Sequence, residues 1–196
     1  MPIDRYYIER FLADCASDVR GRVLEISDNR YTWRYGGQRV ERSDVLEKEE
    51  GNPKANIVAD LTDADHLPSD VYDCIICTQT LQFIYDTRAA LATLCRILKP
   101  GGTLLVTVPV VSQVSRYDVE RWGDYWRFTS MSVRLLFGEV FPPQHVTVEA
   151  HGNVLIATAF LYGLATEEMA GEELEYDDPE YEFLITVRAT KPGRTW

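Results

Sequence analysis

The sequence predicts a doubly wound α/β fold: a mainly parallel, seven-stranded sheet with helices on both faces. Three observations lead there. Apolar runs of strand length alternate with amphipathic stretches along the chain, and parallel neighbours in a sheet require such crossover connections. Most of these runs are continuously apolar and stop at a polar residue, the pattern of strands covered on both faces. The length, 196 residues with 45% hydrophobic and 26% charged, suits one substantial core, and no repeat or composition shift marks a boundary. The chain is therefore read as one domain, 1–196. In such folds ligands sit beyond the carboxyl ends of the strands, where the strand order switches.

Taken in order, Tyr6 to Val19 places Ile8, Phe11, Leu12 and Cys15 at helical spacing, so residues 1–20 carry an N-terminal helix that Gly21 stops. Arg22 to Ile26 is the first strand and Gln38 to Arg42 the second, with room for only a short helix in Tyr31 to Gly37 between them. Asn56 to Asp60 and Val71 to Cys77 read as strands three and four. Asp86 to Leu98 is the clearest helix, with Asp86 and Thr87 as capping candidates ahead of the stripe Ala90, Leu91, Leu94, Ile97 and Leu98. Pro100, Gly101 and Gly102 end it, and Thr103 to Val108 is strand five. Residues 109–128 carry aromatic and charged side chains without sustained periodicity and read as a functional loop on the substrate side. Phe128 to Phe141 is a helix, His145 to Ala150 strand six, Val154 to Ala170 an apolar helix and Tyr181 to Ala189 strand seven. Residues 151–180 thus form a helical, acidic insertion before the last strand, Glu172 to Glu182 a solvated connection, and Lys191 to Trp196 a tail.

A formal net charge of -11 and a pI near 4.7 argue against a nucleic-acid partner, since such binding draws most of its affinity from Lys and Arg on phosphates. No run of about 18 apolar residues exists, and Asp4, Arg5 and Glu9 open the chain where a leader would be basic and then apolar. The expectation is a cytoplasmic protein without a membrane segment. Cys74 and Cys77 form a C-x-x-C pair inside an apolar strand with no second pair to complete a metal site, so they read as core residues and no metal is expected.

The strand ends carry the chemistry. Val23-Leu24-Glu25-Ile26-Ser27-Asp28-Asn29 is an apolar strand, an acid and a turn; Val58-Ala59-Asp60-Leu61-Thr62 follows strand three; Thr78-Gln79-Thr80-Leu81-Gln82-Phe83-Ile84 follows strand four; and Leu98-Lys99-Pro100-Gly101-Gly102-Thr103-Leu104 leads into strand five. In this order the strings resemble those of class I S-adenosylmethionine-dependent methyltransferases of the type 11-like kind, over about Val23 to Val108 and more loosely through the last strand. Ser27 and Asn29 stand where that family has glycines; both are small, and Asn tolerates positive φ. The resemblance implies S-adenosylmethionine as cofactor, S-adenosylhomocysteine as product, and a set of contacts. Glu25 orients the turn of Ser27, Asp28 and Asn29 and meets the amino end of the methionine. Asp44 accepts from the ribose hydroxyls, a task suited to a carboxylate because it offers only acceptors. Asp60 meets the adenine amino group beside the backbone of Leu61, while Thr78, Gln79 and Gln82 cover the methionine portion.

The Tyr125-Trp126-Arg127-Phe128-Thr129 string is similar to one in methyltransferases found with sugar and cell-surface polysaccharide biosynthesis. Aromatic faces pack on sugar rings and guanidinium groups grip carboxylate or phosphate, so Arg116, Tyr117, Trp122, Tyr125 and Arg127 are the substrate-binding candidates. The competing reading makes Trp122, Tyr125, Trp126 and Phe128 core anchors and Arg127 half of a structural ion pair. A hydroxyl acceptor benefits from a general base, for which His151 beside Gly152, Asp118 and Asp124 are the candidates, whereas a nucleophilic nitrogen acceptor needs none. The expected activity is O-methylation of a sugar or glycosylated intermediate. The alternative is a catalytically inactive methyltransferase-fold protein serving as a binding module; a nicotinamide-dependent oxidoreductase ranks lower for want of G-x-G-x-x-G. The expected partner is a small-molecule substrate, and a homodimer stays open.

Overall fold

The computed structural model describes residues 1–193, so Arg194, Thr195 and Trp196 of the expected tail lie outside the described residues. Seven strands, β1 (Gly21–Ile26), β2 (Val40–Glu47), β3 (Ile57–Val58), β4 (Tyr72–Thr78), β5 (Leu98–Pro109), β6 (Val146–His151) and β7 (Leu184–Thr190), form one sheet in the order β3-β2-β1-β4-β5-β7-β6. β1 is parallel to β2 and β4, β2 to β3 and β4 to β5, whereas β7 runs antiparallel to β5 and β6. The chain leaves β1 toward β3 and returns to the opposite side of β1 as β4, so the switch point lies between β1 and β4.

Alternation along each strand feeds two cores. In β4, Ile75 and Cys77 face α2 (Thr87–Ile97) and α4 (Ser130–Gly138), while Cys74 and Ile76 face α1 (Ile3–Asp14), α5 (Val154–Leu161) and α6 (Gly171–Glu175). The C-x-x-C cysteines therefore point to opposite faces, and burial pushes both thiols up, Cys77 to about 12. Each fully buried Leu or Ile in these layers contributes roughly 1.5–3 kcal/mol. Among the described residues no helix is long and apolar enough to cross a membrane.

Several elements differ from their sequence-based bounds for identifiable reasons. α1 ends at Asp14; Gly21, at φ 63°, opens β1, where a Cβ would lie 2.5 Å from Asp73 Oδ2. Asp86 caps α2 by accepting from the Ala89 amide at 3.0 Å, worth about 1 kcal/mol. β5 begins at Leu98 and carries the Lys99–Gly102 excursion inside it; a Cβ on Gly102 would meet the Tyr72 and Lys99 carbonyl oxygens at 2.9 Å, so this close approach admits only glycine. The 109–128 segment contains a short helix, α3 (Arg116–Arg121), capped by Ser115. α5 is eight residues long, stopping where Gly163 turns the chain at φ 77°. β2 is the largest departure and bears directly on the site.

Candidate active site

A cavity of about 490 Å³ opens at the carboxyl ends of β1, β2 and β4, at the switch point. Its floor is apolar: Ile26 at the end of β1, Leu46 in β2, and Ala59 and Leu61 after β3. Polar groups come from Ser27, Glu47, Lys48, Asp60, Thr62 and the Thr78–Thr80 turn. Phe83, Ile84, Tyr85 and Asp86 from the connection to α2, with Trp122 and Tyr125 from the 109–128 segment, complete the wall.

The turn after β1 is held from behind. Glu25, buried at the strand end, accepts from the Tyr31 amide (3.3 Å), the Thr32 amide (2.7 Å) and the Thr32 hydroxyl (2.7 Å), clasping the loop to its own following turn. Burial pushes its carboxyl up to about 7 against the pull of those donors. Glu25, Asp28 and Asn29 do not line the cavity; Asp28 is occupied by the amides of Asn29 and Arg30 and by Lys54 Nζ at 2.9 Å. Ser27 does line it. Its φ is 64°, the left-handed conformation a glycine would take more cheaply, and it is held by its amide on the Leu46 carbonyl and by Asn52 Nδ2 donating to its carbonyl.

Asp44 is not at the strand end. β2 runs on to Glu47, placing Asp44 in mid-strand opposite Leu24, fully buried, where it accepts from Arg22 Nε (2.6 Å), Asn56 Nδ2 (2.7 Å) and Arg42 Nε (3.1 Å). Burial alone would raise this carboxyl, but Asn56 and the two arginines outweigh it and leave it below the ordinary range. A compensated charge inside the ladder disguised β2 as loop, and the acid that reaches the cavity is Glu47. Asp60 lies in the wall as expected. Its Oδ1 accepts from the Thr62 amide and hydroxyl (2.9 and 2.7 Å) and its Oδ2 lies 3.3 Å from Lys48 Nζ; these outweigh burial and hold its carboxyl low.

Of the loop after β4, Thr78 and Gln79 line the cavity, Gln79 at φ 47° with its amide on the Thr107 carbonyl at 2.9 Å. Gln82 sits behind them, outside the wall. Its Nε2 donates to Gln79 Oε1 at 3.4 Å, and its carbonyl accepts from the Tyr125 and Trp126 amides, tying the two sides of the cavity together.

The acceptor side is aromatic. Trp122 packs on Phe83 with ring centres 5.8 Å apart, Tyr85 meets Tyr125 edge-on at 5.5 Å and stacks on Trp126 at 5.7 Å, and Trp126 Nε1 donates to the Ile84 and Tyr85 carbonyls. Tyr85 escaped the sequence reading because it stands alone between a turn and a helix cap. Tyr117 and Arg116 lie outside the wall; Tyr117 meets Trp122 edge-on, with the Arg121 guanidinium 3.4 Å above its ring. Arg127 is not free for substrate. It grips both oxygens of Asp124 (2.6 and 2.9 Å) and donates to the Ser112, Gln113 and Trp126 carbonyls, the structural ion pair of the competing reading. Phe128 is core.

None of the three expected bases is in the cavity. Asp124 is consumed by Arg127. Asp118 lies in the first turn of α3, where its amide donates to Ser115 Oγ. His151 lies at the end of β6, separated from β4 by β5 and β7, in a different cavity of about 630 Å³; there its Nε2 meets Thr186 Oγ1 at 2.9 Å, its Nδ1 lies 3.6 Å from Asp177, and its ring stacks on Tyr7. Strand order, invisible in the sequence, decides this. Asp86 is the cavity carboxylate beside the aromatic wall.

A switch-point cavity with acids at the end of β2 and just after β3, on a sheet whose last strand in the chain, β7, is inserted antiparallel between β5 and β6, is the class I methyltransferase architecture. The sequence matches the family described as methyltransferase domain over residues 4–148, most of its length, and the chain belongs to that family of S-adenosylmethionine-dependent methyltransferases. It is 30% identical over 102 residues to the ubiquinone/menaquinone biosynthesis C-methyltransferase UbiE of Pectobacterium atrosepticum, covering 50% of this chain and 38% of that protein. The chain spans well under half the length of the curated relatives it matches. Among solved structures, phosphoethanolamine N-methyltransferase 2 of Haemonchus contortus superposes with a TM-score of 0.59 at 14% identity, covering 94% of this chain and 52% of that one. The N-methyltransferase NodS of Bradyrhizobium japonicum does so with a TM-score of 0.55 at 15% identity, covering 97% and 88%. At these identities the likeness speaks for the fold.

Proposed function

We propose that the protein transfers a methyl group from S-adenosylmethionine to a small-molecule acceptor, releasing S-adenosylhomocysteine. The supporting observation is that one cavity gathers Ser27, Glu47, Asp60 and Gln79 at strand ends against the aromatic side formed by Tyr85, Trp122 and Tyr125. The residues suit the cofactor: the floor of Ile26, Leu46, Ala59 and Leu61 offers an apolar bed for a nucleoside, the acids offer only acceptors to hydroxyl and amino groups, and the volume lies within the range of ligand pockets. Neighbours of the same fold include proteins with S-adenosylhomocysteine bound.

In this assignment Glu47 takes the ribose role expected of Asp44, Asp60 and the Leu61 backbone take the adenine, and the backbone of Ser27 with Gln79 takes the methionine end. Bound there, the sulfonium supplies an electrophilic methyl carbon. The chain's own task is to align the acceptor with it and exclude water. Trp122, Tyr125 and Tyr85 offer faces for a ring-bearing acceptor, and a sugar or glycosylated intermediate methylated on oxygen fits them. Asp86 keeps Oδ1 on the α2 cap and offers Oδ2 to the hydroxyl proton, the part the sequence assigns to His151, Asp118 or Asp124. A carbon acceptor on a planar ring is the second reading, favoured by the C-methyltransferase name of the partial relatives; it would use the same faces.

Titration calorimetry with S-adenosylhomocysteine is the test. Wild type binds, and Glu47→Ala and Asp60→Ala each weaken binding by about tenfold or more, the size of a charge-assisted hydrogen bond. Absence of heat with wild type overturns the proposal in favour of a binding module. NMR of the methylated product separates oxygen from carbon acceptors.

A further inference from the structure

α5 and the chain after it carry a surface unlike the rest of the molecule. The helix reads Val154-Leu155-Ile156-Ala157-Thr158-Ala159-Phe160-Leu161, apolar nearly all round, a composition that normally belongs to an enclosed helix. Only one side is enclosed, with Ile156 and Ala159 buried in the core shared with α1. The other side presents Val154, Leu155, Leu161 and Tyr162 at positions i, i+1, i+7 and i+8, and all four are exposed, Tyr162 to 82%. Leu164, past the turn at Gly163, is exposed as well.

Charge along this stretch of chain is equally lopsided. From Gly152 to Val187 the sequence has nine Asp and Glu and no Lys or Arg, so this stretch accounts for -9 of the chain's -11. The acids sit at both ends of the stripe. Glu167 and Glu168 follow the C-terminus of α5, while Glu172, Glu175 and Asp177 lie on the segment returning past its N-terminus, where Asn153 Nδ2 donates to the Glu173 and Tyr176 carbonyls at 2.9 and 2.8 Å. These five acids are exposed, Glu167 with the N-terminal ammonium against it and the other four without a Lys or Arg partner among the described ion pairs. Stripe and acids alike lie beyond residue 148, where the family match ends.

We propose that this face docks a protein partner that presents an apolar stripe bordered by Lys and Arg. An exposed apolar patch with a polar border marks an interaction surface, and the sign of the border selects the partner's charge. A second copy would set one acidic border against another, and anionic lipid would be repelled in the same way. Leu155, Leu161 and Tyr162 form the centre of the contact, and the acids steer approach over a Debye length.

The test uses the full chain and a fluorescein-labelled, 18-residue helical peptide with a Leu stripe bordered by Lys. Controls replace every Lys with Glu, or every Leu with Ser. Fluorescence anisotropy should show binding of the Lys–Leu peptide that weakens as salt rises, with both controls about tenfold weaker or worse. The pairs Leu155→Ser with Leu161→Ser, and Glu172→Lys with Glu175→Lys, should each weaken binding about tenfold while the circular-dichroism melt is unchanged. Tyr162→Ser provides an independent readout should a double variant not fold. Equal binding of the Glu peptide, no binding of the Lys–Leu peptide, or indifference to these variants overturns the proposal. So does light scattering that shows a dimer dissolved by Leu155→Asp with Leu161→Asp, which makes the occupant a second copy, or co-sedimentation with phosphatidylcholine–phosphatidylserine vesicles, which makes it a membrane.

Discussion

The two sides of the cavity are built by different means. The strand-end side is fixed by the sheet: Glu47 ends β2 paired with Val58, Asp60 follows β3, and Ser27 and Gln79 are locked by amides onto the neighbouring strands' Leu46 and Thr107 carbonyls. The aromatic side rests on a loop and a six-residue helix with no buried residue. What anchors it is local: the Tyr125 and Trp126 amides on the Gln82 carbonyl, Phe128 on the Pro109 carbonyl, and the Asp124–Arg127 clasp. Backbone ladders position a few polar atoms closely, whereas a loop held by a clasp presents broad faces that another sequence could exchange. The first suits an invariant cofactor and the second a variable acceptor.

Breaking the clasp should have the largest effect. Asp124→Ala leaves the Arg127 guanidinium without its carboxylate in a largely enclosed position, and calorimetric melting should register a loss of about 3 kcal/mol. Below the melt, S-adenosylhomocysteine affinity should stay at its wild-type value, because only the aromatic side is loosened; a matching loss of affinity would merge the two sides into one unit.

The cofactor side has its own signature in pH. Glu25 ionises near 7 in the folded protein against an ordinary value of 4.5. Between these values the folded state holds a proton the unfolded state has released, so this group's contribution to stability is full below about 4.5 and is lost as pH rises through about 7, by roughly 3 kcal/mol in all. Denaturant melts of wild type and Glu25→Gln across that range should diverge accordingly; parallel curves would mean that the Thr32 and Tyr31 donors outweigh burial.

Smaller effects sharpen the contrast. Trp122→Ala should raise the acceptor's KM about fivefold, near 1 kcal/mol for one aromatic face, with S-adenosylhomocysteine binding unmoved. Ser27→Gly should relieve the left-handed backbone and, after the extra freedom glycine gains in the unfolded chain, stabilise by about 0.5 kcal/mol in a chemical melt. A loss there would show that the serine side chain contributes to the turn.

Legibility followed the same division. β1, β4, β5 and α2 were readable because burial on both faces leaves an apolar run and capping leaves Asp86, and the Pro100-Gly101-Gly102 connection was readable because proline bars helix continuation and glycine takes the left-handed conformation that Gly101 adopts at φ 80°. β2 was not, because Asp44 makes a polar interruption that only Arg22, Arg42 and Asn56, brought in from elsewhere, can neutralise. In sequence Arg127 reads equally as a substrate ligand or half of an ion pair, which only the fold decides by setting Asp124 on it, and His151 reads as a base although β5 and β7 separate its strand from β4.

By itself the sequence determined the fold class, the two-faced sheet and the identity of most strands, since these follow from local periodicity and from residues whose conformational limits are their own. Which carboxylates reach the cavity was decided only in three dimensions. Strand ends and strand order are set by hydrogen bonds and ion pairs between residues far apart in the chain, so Glu47 and Asp86 arrive at the site, and Asp44, Asp124 and His151 are held elsewhere.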